Sequence, residues 1–181
     1  TAMRVLFSAQ DPGGKNAIAP VIEALKNAGA EVGENIKNPD IFIAGTSGGD
    51  SPDKHIMQDI GEIPSLYVLD FWINYWQRFS TAIKKDFAFL PTRICVMDDI
   101  AKEEMIAEGF PAERLIVTGN PHFDHFADAI TREGEEVDRI LFISQPTSSV
   151  ASLPGFTKVS QDEYATLKDI LSILETLPER Y

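Results

Sequence analysis

The stretch that decides the fold is MRVLFSAQDPGGKNAIAPVIEALKNAG, residues 3–29. A short apolar run through Val5, Leu6 and Phe7 is broken by Asp11-Pro12-Gly13-Gly14. Ile18, Val21, Ile22 and Leu25 then recur at helical spacing until Gly29 stops the pattern. This predicts strand, turn and helix. Working outward, Asp40 to Ala44 reads as a strand, Thr46 to Asp50 as a glycine-rich loop, Lys54 to Gly61 as a weak helix and Ser65 to Leu69 as the next strand. Arg93 to Met97 supplies another strand, and Ile100 to Gly109 a helix with glycine as its stop. Arg114 to Thr118 is a further strand, ending at Gly119-Asn120-Pro121. Strands alternating with helices imply an α/β domain on a parallel sheet with helices on both faces.

The pattern changes after residue 122. Phe123 to Ile130 reads as a helix, residues 131–138 as a charged connector of the kind that separates domains, and Arg139 to Ser144 as a fresh strand. A Ser-, Pro- and Gly-rich loop, Gln145 to Val159, leads to a last helix capped by Ser160. That helix carries Tyr164, Leu167, Ile170, Leu171 and Leu174 and runs to about Leu177. The expected organisation is a first domain over 3–130, a connector over 131–138, and a strand-loop-helix unit over 139–181 that opens a second domain. Without a sheet of its own, the strand at 140–144 is expected to add to an edge of the first sheet, to pair with a second copy in a homodimer, or to stay loosely held.

Composition bounds the function. The chain has 181 residues, 44% hydrophobic and 24% charged, which is the profile of a folded globular protein. Sixteen Lys or Arg against 28 Asp or Glu give a net charge of −12, which opposes a nucleic-acid partner. Much of the excess lies between Asp98 and Asp138, where twelve acids face Lys102, Arg114 and Arg132, the usual sign of a solvated face. One cysteine, Cys95, forms neither an internal disulfide nor a Cys-based zinc site, and its apolar surroundings suit packing. Thr1 and Ala2 ahead of Met3 read as an added extension. No apolar run approaches the roughly 20 residues of a membrane helix, so the expectation is a cytoplasmic protein with no transmembrane segment.

Chemistry-bearing residues gather where strands end. Asp11, Pro12, Gly13 and Gly14 lie at the carboxyl end of the first strand and the start of the first helix, where glycines let backbone N–H groups approach an anion. The stretch is neither a Walker loop nor G-x-G-x-x-G, and a tight turn that needs glycine explains it equally well. Gly45-Thr46-Ser47-Gly48-Gly49-Asp50 repeats the arrangement after another strand, so the two loops would share a cleft. Asp70 to Phe79 packs five aromatics, including both tryptophans, into ten residues. If it is helical, Trp72, Tyr75, Trp76 and Phe79 share a face; Trp76 and Phe79 suit the core, while Asp70, Trp72 and Arg78 suit sugar hydroxyls, ring stacking and phosphate. Pro121-His122-Phe123-Asp124-His125 fits no standard metal-ligand spacing, and His122 can serve as a general base or as an ordinary capping histidine. No metal and no cofactor is assigned.

Val117-Thr118-Gly119-Asn120-Pro121-His122-Phe123-Asp124 resembles the end of the first domain in UDP-N-acetylglucosamine 2-epimerase-like proteins and related GT-B glycosyltransferases. The first turn, Asp11 to Gly14, and the stretch Arg139 to Ser144 with Gln145-Pro146 fit the same plan. The resemblance implies two Rossmann-like domains facing a cleft. The first would supply the acceptor side and often the base, and the second would hold most of the contacts to a nucleotide-sugar donor. It implies that Gly13, Gly14, Ser47, Gly48, Asp70, Asn120 and His122 line the first domain's side of the cleft. In the transferase this suggests, Asp11 or His122 would take a proton from an acceptor hydroxyl, the glycine-rich turns and Arg78 would stabilise phosphate charge at the leaving group, and Pro12 and Trp72 would join the substrate-binding residues. Ser8-Ala9-Gln10-Asp11-Pro12 stands where the 2-epimerases carry G-T-R-P-E, which points away from epimerisation. The residues up to Tyr181 alone are then expected to be inactive. An alternative is a non-catalytic nucleotide-binding or protein-interaction domain of flavodoxin-like shape, with the aromatic segment as its partner surface.

Overall fold

Alternation along each apolar run sorts the side chains between two cores. Val5, Phe7, Ile43, Val68 and Cys95 gather on one face with Ala17, Ile18 and Ile22. Leu6, Phe42, Tyr67, Ile94 and Val96 gather on the other with Met105 and Phe110. A strand buried on both faces needs apolar residues at every position, which is why these strands are continuous apolar runs. The computed structural model describes residues 2–126, 141–144 and 162–176, in two units, Thr1–Ala129 and Ile130–Tyr181.

The first unit runs β1 (Arg4–Ser8), α1 (Pro12–Asn27), β2 (Glu31–Gly33), β3 (Ile41–Gly45), α2 (Pro52–Asp59), β4 (Ser65–Val68), the single turn α3 (Tyr75–Arg78), β5 (Arg93–Val96), α4 (Asp99–Ala107) and β6 (Leu115–Val117). All six strands are parallel, in the order β2-β1-β3-β4-β5-β6. The result is a Rossmann-like α/β sheet, with α1 over one face and α2 and α4 over the other. From β1 the chain goes first to β2 on one side and then across to β3 on the other. Loops leaving two strands at such a reversal part from each other, and the crevice between them is where open α/β sheets take ligands.

Several expected elements differ. The edge strand β2 is three residues of mixed polarity, held by pairing Glu31, Val32 and Gly33 with Arg4, Val5 and Leu6, and it has no apolar run to announce it. The aromatic helix shrinks to one turn because Asn74 adopts a left-handed backbone (φ 59), which no regular helix accommodates. After β6 the described chain forms a 3-10 helix over Pro121–Phe126; the rest of the expected helix, 127–130, lies outside the described residues.

In the second unit the described residues Leu141 to Ser144 form no strand, against the expectation; Arg139 and Ile140 lie outside the described residues. A strand exists only through a ladder with a neighbour, and among the described residues all six strands belong to the first unit. The last helix, α5 (Glu163–Leu174), is capped by Asp162, whose carboxylate accepts from the amides of Tyr164 and Ala165. Ser160, the expected cap, lies outside the described residues, as do the connector 131–138 and the loop 145–159. The apolar residues Tyr164, Leu171 and Ile173 of α5 are exposed. Among the described residues no helix is long and apolar enough to cross a membrane.

Candidate functional site

Because the sheet is parallel, Asp11 after β1, Thr46 after β3, Asp70 after β4, Asp98 after β5 and Asn120 after β6 all emerge at one end. The centre of that end is Asp70. One extra ladder bond, Leu69 N–H to the Cys95 carbonyl at 2.9 Å, carries the strand direction to the residue before it. Its Oδ1 accepts from the Thr46 hydroxyl at 3.0 Å and from the Arg78 guanidinium at 2.8 Å, and the same guanidinium nitrogen reaches Thr46 Oγ1 at 2.7 Å. Both charged side chains are about nine-tenths buried, where an ion pair holds its geometry better than it does in water.

The turn α3 explains how Arg78 gets there. Tyr75 and Phe79 are buried four residues apart, Tyr75 donates its hydroxyl to Glu104 at 2.6 Å, and the Trp76 amide donates to Glu108 at 3.1 Å. Burial and the neighbouring Glu104 raise the Tyr75 phenol well above its ordinary pKa. With that face in the core, Arg78 turns back toward β3. As expected, Phe79 lies in the core and Trp76 packs half-buried against it.

The two glycine turns meet the cluster from the other side. A Cβ on Gly13 would collide with Asp70 Oδ2, so the carboxylate stands over the first turn of α1. Asp11 makes no side-chain cap to that helix, and its first turn carries no acid of its own. Asp70 therefore supplies from another strand the negative charge that a helix amino end favours. Gly14 and Gly45 bring the backbones of α1 and β3 together, since a Cβ on Gly45 would lie 2.7 Å from the Gly14 Cα. Ser47 is buried beside Thr46, whereas Gly48, Asp11, Pro12 and Gly13 are exposed at the rim.

Two residues that the sequence reading passed over hold this rim. Lys54 is almost wholly buried, donates to the carbonyls of Gly49, Gln77 (3.0 Å) and Ser80 (2.9 Å), and lies over the Phe89 ring. Burial lowers its pKa, and it ties the second glycine turn to the segment that carries Arg78. Its neighbour Asp53 is fully buried, with neither carboxylate oxygen in a hydrogen bond among the described residues. Desolvation raises that carboxyl, only partly offset by the Ser51 hydroxyl beside it and the Lys54 ammonium. Neither residue carries a motif; only tertiary burial distinguishes them from surface residues of a short helix.

The remaining candidates lie at the edge. Trp72 donates its indole N–H to Asp98 Oδ2 at 2.7 Å, while Asp98 Oδ1 caps α4 by accepting from the Ala101 amide at 2.7 Å. These two donors hold the Asp98 carboxyl below its ordinary pKa, the Ala101 amide contributing most. Asn120 accepts from the His122 amide at 3.1 Å and so starts the 3-10 helix Pro121–Phe126, which packs against α1. The structure thus brings Gly13, Thr46, Asp70 and Arg78 into one cluster. Trp72 stands two residues beyond it, and Asn120 and His122 return from β6 toward α1 without a hydrogen bond to Asp70. His122 and His125 have rings 5.9 Å apart, yet among the described residues no three His, Cys, Asp or Glu side chains assemble as a metal site. No protein-family model, curated protein or solved structure matches the chain.

Proposed function

We propose that the first unit is the acceptor-side domain of a GT-B-type glycosyltransferase, which moves a sugar from a nucleotide-activated donor to an acceptor hydroxyl. The observation that carries this reading is the pinned Asp70 carboxylate over the first turn of α1, at the point where the strand order reverses. A phosphate would meet that carboxylate, and Arg78 is already engaged by it, so this crevice is suited to hydroxyl groups rather than to the donor's phosphates. Asp70 accepts from hydroxyls, and the buried Thr46 and Arg78 serve as the residues that position it.

In the proposed reaction the acceptor oxygen attacks the anomeric carbon, the bond from that carbon to the phosphate oxygen breaks, and the acceptor proton passes to Asp11 or His122. The donor's phosphates belong to a second domain, which residues from 139 onward would open. The exposed apolar residues of α5 support that assignment, because such a face is normally covered by a further layer. The strand order, which begins as in flavodoxin-like domains, keeps a non-catalytic binding module as the second reading.

Turnover separates the two. The protein with its natural flanking sequence, given nucleotide sugars and hydroxyl acceptors, is expected to release nucleoside diphosphate. Asp11→Asn is expected to cut that release about 100-fold, the scale of general-base catalysis. Release that is absent with every donor, or unaffected by both Asp11→Asn and His122→Gln, contradicts the transferase reading.

A further inference from the structure

Phe71, Trp72 and Ile73 are consecutive apolar residues that stay 50%, 37% and 53% exposed immediately after Asp70. Single exposed apolar residues are ordinary, but three in succession directly after a strand-end carboxylate are not. Trp72 is also held in place. Its N–H is bound by Asp98 Oδ2, and Asp98 is itself fixed through Oδ1 at the amino end of α4, so the indole is oriented from outside its own segment. With that edge turned into the carboxylate, what the side chain offers solvent is apolar ring.

We propose that Trp72, oriented by Asp98, is a stacking platform for the pyranose ring of an uncharged sugar acceptor whose hydroxyls reach the Asp70 side of the crevice. This rests on the acceptor-side reading and names its substrate class. The ring's C–H face matches the indole, and its hydroxyls match the Asp70 carboxylate, which Thr46 and Arg78 hold from the buried side. The charge of the surroundings selects against anions: Asp98, Asp99, Glu104 and Glu108 lie on α4 and at its two ends, beside the segment that carries Trp72. Asp98 is a positioning residue in this scheme, and Trp72 is the contact.

Methyl glycosides of glucose, galactose, mannose and N-acetylglucosamine are the probes, titrated against the whole chain. Binding is read by saturation-transfer NMR and, in a Trp76→Phe background that leaves Trp72 as the sole tryptophan, by fluorescence. At least one glycoside is expected to quench Trp72 saturably. Trp72→Ala should weaken binding at least about tenfold, while Trp72→Phe, which keeps an aromatic face, should stay within about threefold. Asp98→Asn retains one oxygen to cap α4 but turns an N–H toward the indole, so it should weaken binding about threefold with the thermal midpoint little changed. Unchanged affinity in Trp72→Ala, no binding of any glycoside, or tighter binding of nucleoside monophosphates than of glycosides overturns the proposal. The two readings fail separately. Nucleotide-sugar turnover indifferent to Trp72→Ala removes the platform alone, and glycoside stacking without turnover removes the transferase alone.

Discussion

The turn after β1 and the turn after β3 are both glycine-rich and both face the same crevice, yet their glycines answer different needs. Gly13 lies under the Asp70 carboxylate and Gly14 against the Gly45 backbone, whereas Gly48 and Gly49 have open space where a side chain would go. In the first turn glycine lets two pieces of the protein touch. In the second, Gly49 is required by its backbone, which sits at φ 70, while its carbonyl is held by Lys54. The comparison teaches that a glycine-rich loop at a strand end is not by itself a phosphate cradle, because the anion over α1 is the protein's own.

Substitutions test that contrast in order of expected size. The largest effect belongs to Gly45→Val, which drives a branched side chain into the Gly14 backbone and should cost about 3 kcal/mol or more in denaturant unfolding. A loss under about 1 kcal/mol would mean that the two backbones are not in contact. Gly13→Ala comes next and acts on function. On the transferase reading, displacing Asp70 should lower turnover about 100-fold. If activity survives, the carboxylate over α1 is not part of the site.

Asp53→Asn removes a buried charge whose oxygens make no hydrogen bond among the described residues and which Ser51 and Lys54 offset only in part. Folding raises the Asp53 pKa above its ordinary 3.8, so the native state binds the extra proton, and stability falls as pH rises from about that value through the folded pKa. The variant should therefore be more stable than the parent by about 1 kcal/mol at neutral pH and equal to it below pH 3.8. A variant that is less stable at pH 7 would show that Asp53 has a partner after all. The smallest effects lie in the open turn: Gly49→Ala should cost about 1 kcal/mol for its left-handed backbone, and Gly48→Ala less than about 0.5. Equal costs at the two positions would remove the distinction drawn between space and conformation.

The architecture was legible wherever burial leaves a periodic trace. Strand, turn and helix over residues 3–29 are read directly from Val5 to Phe7 and from Ile18 to Leu25, because both cores draw on those positions. What escaped is what periodicity does not encode. Strand β2 is a three-residue edge, the left-handed Asn74 cuts the aromatic helix, and Leu141 to Ser144 is apolar without forming a strand. At the site, Asp70 was singled out by its place after a strand and Arg78 by its place in the aromatic segment, but their bond to each other was not legible, nor was the approach of Gly13. Lys54 and Asp53 were invisible for the same reason: burial of a charged residue is a property of the fold around it, not of its neighbours in the chain.

Backbone amide shift mapping of the isotope-labelled chain tests the central claim, that the crevice over α1 takes hydroxyls and not phosphates. The account predicts that methyl glycosides shift the amides of residues 11–14, 46–48 and 70–73, and that nucleoside diphosphates leave these in place. Nucleoside diphosphates that shift residues 11–14, or glycosides whose shifts fall at Ser65, Thr92 and Arg114 on the opposite end of the sheet, would contradict it.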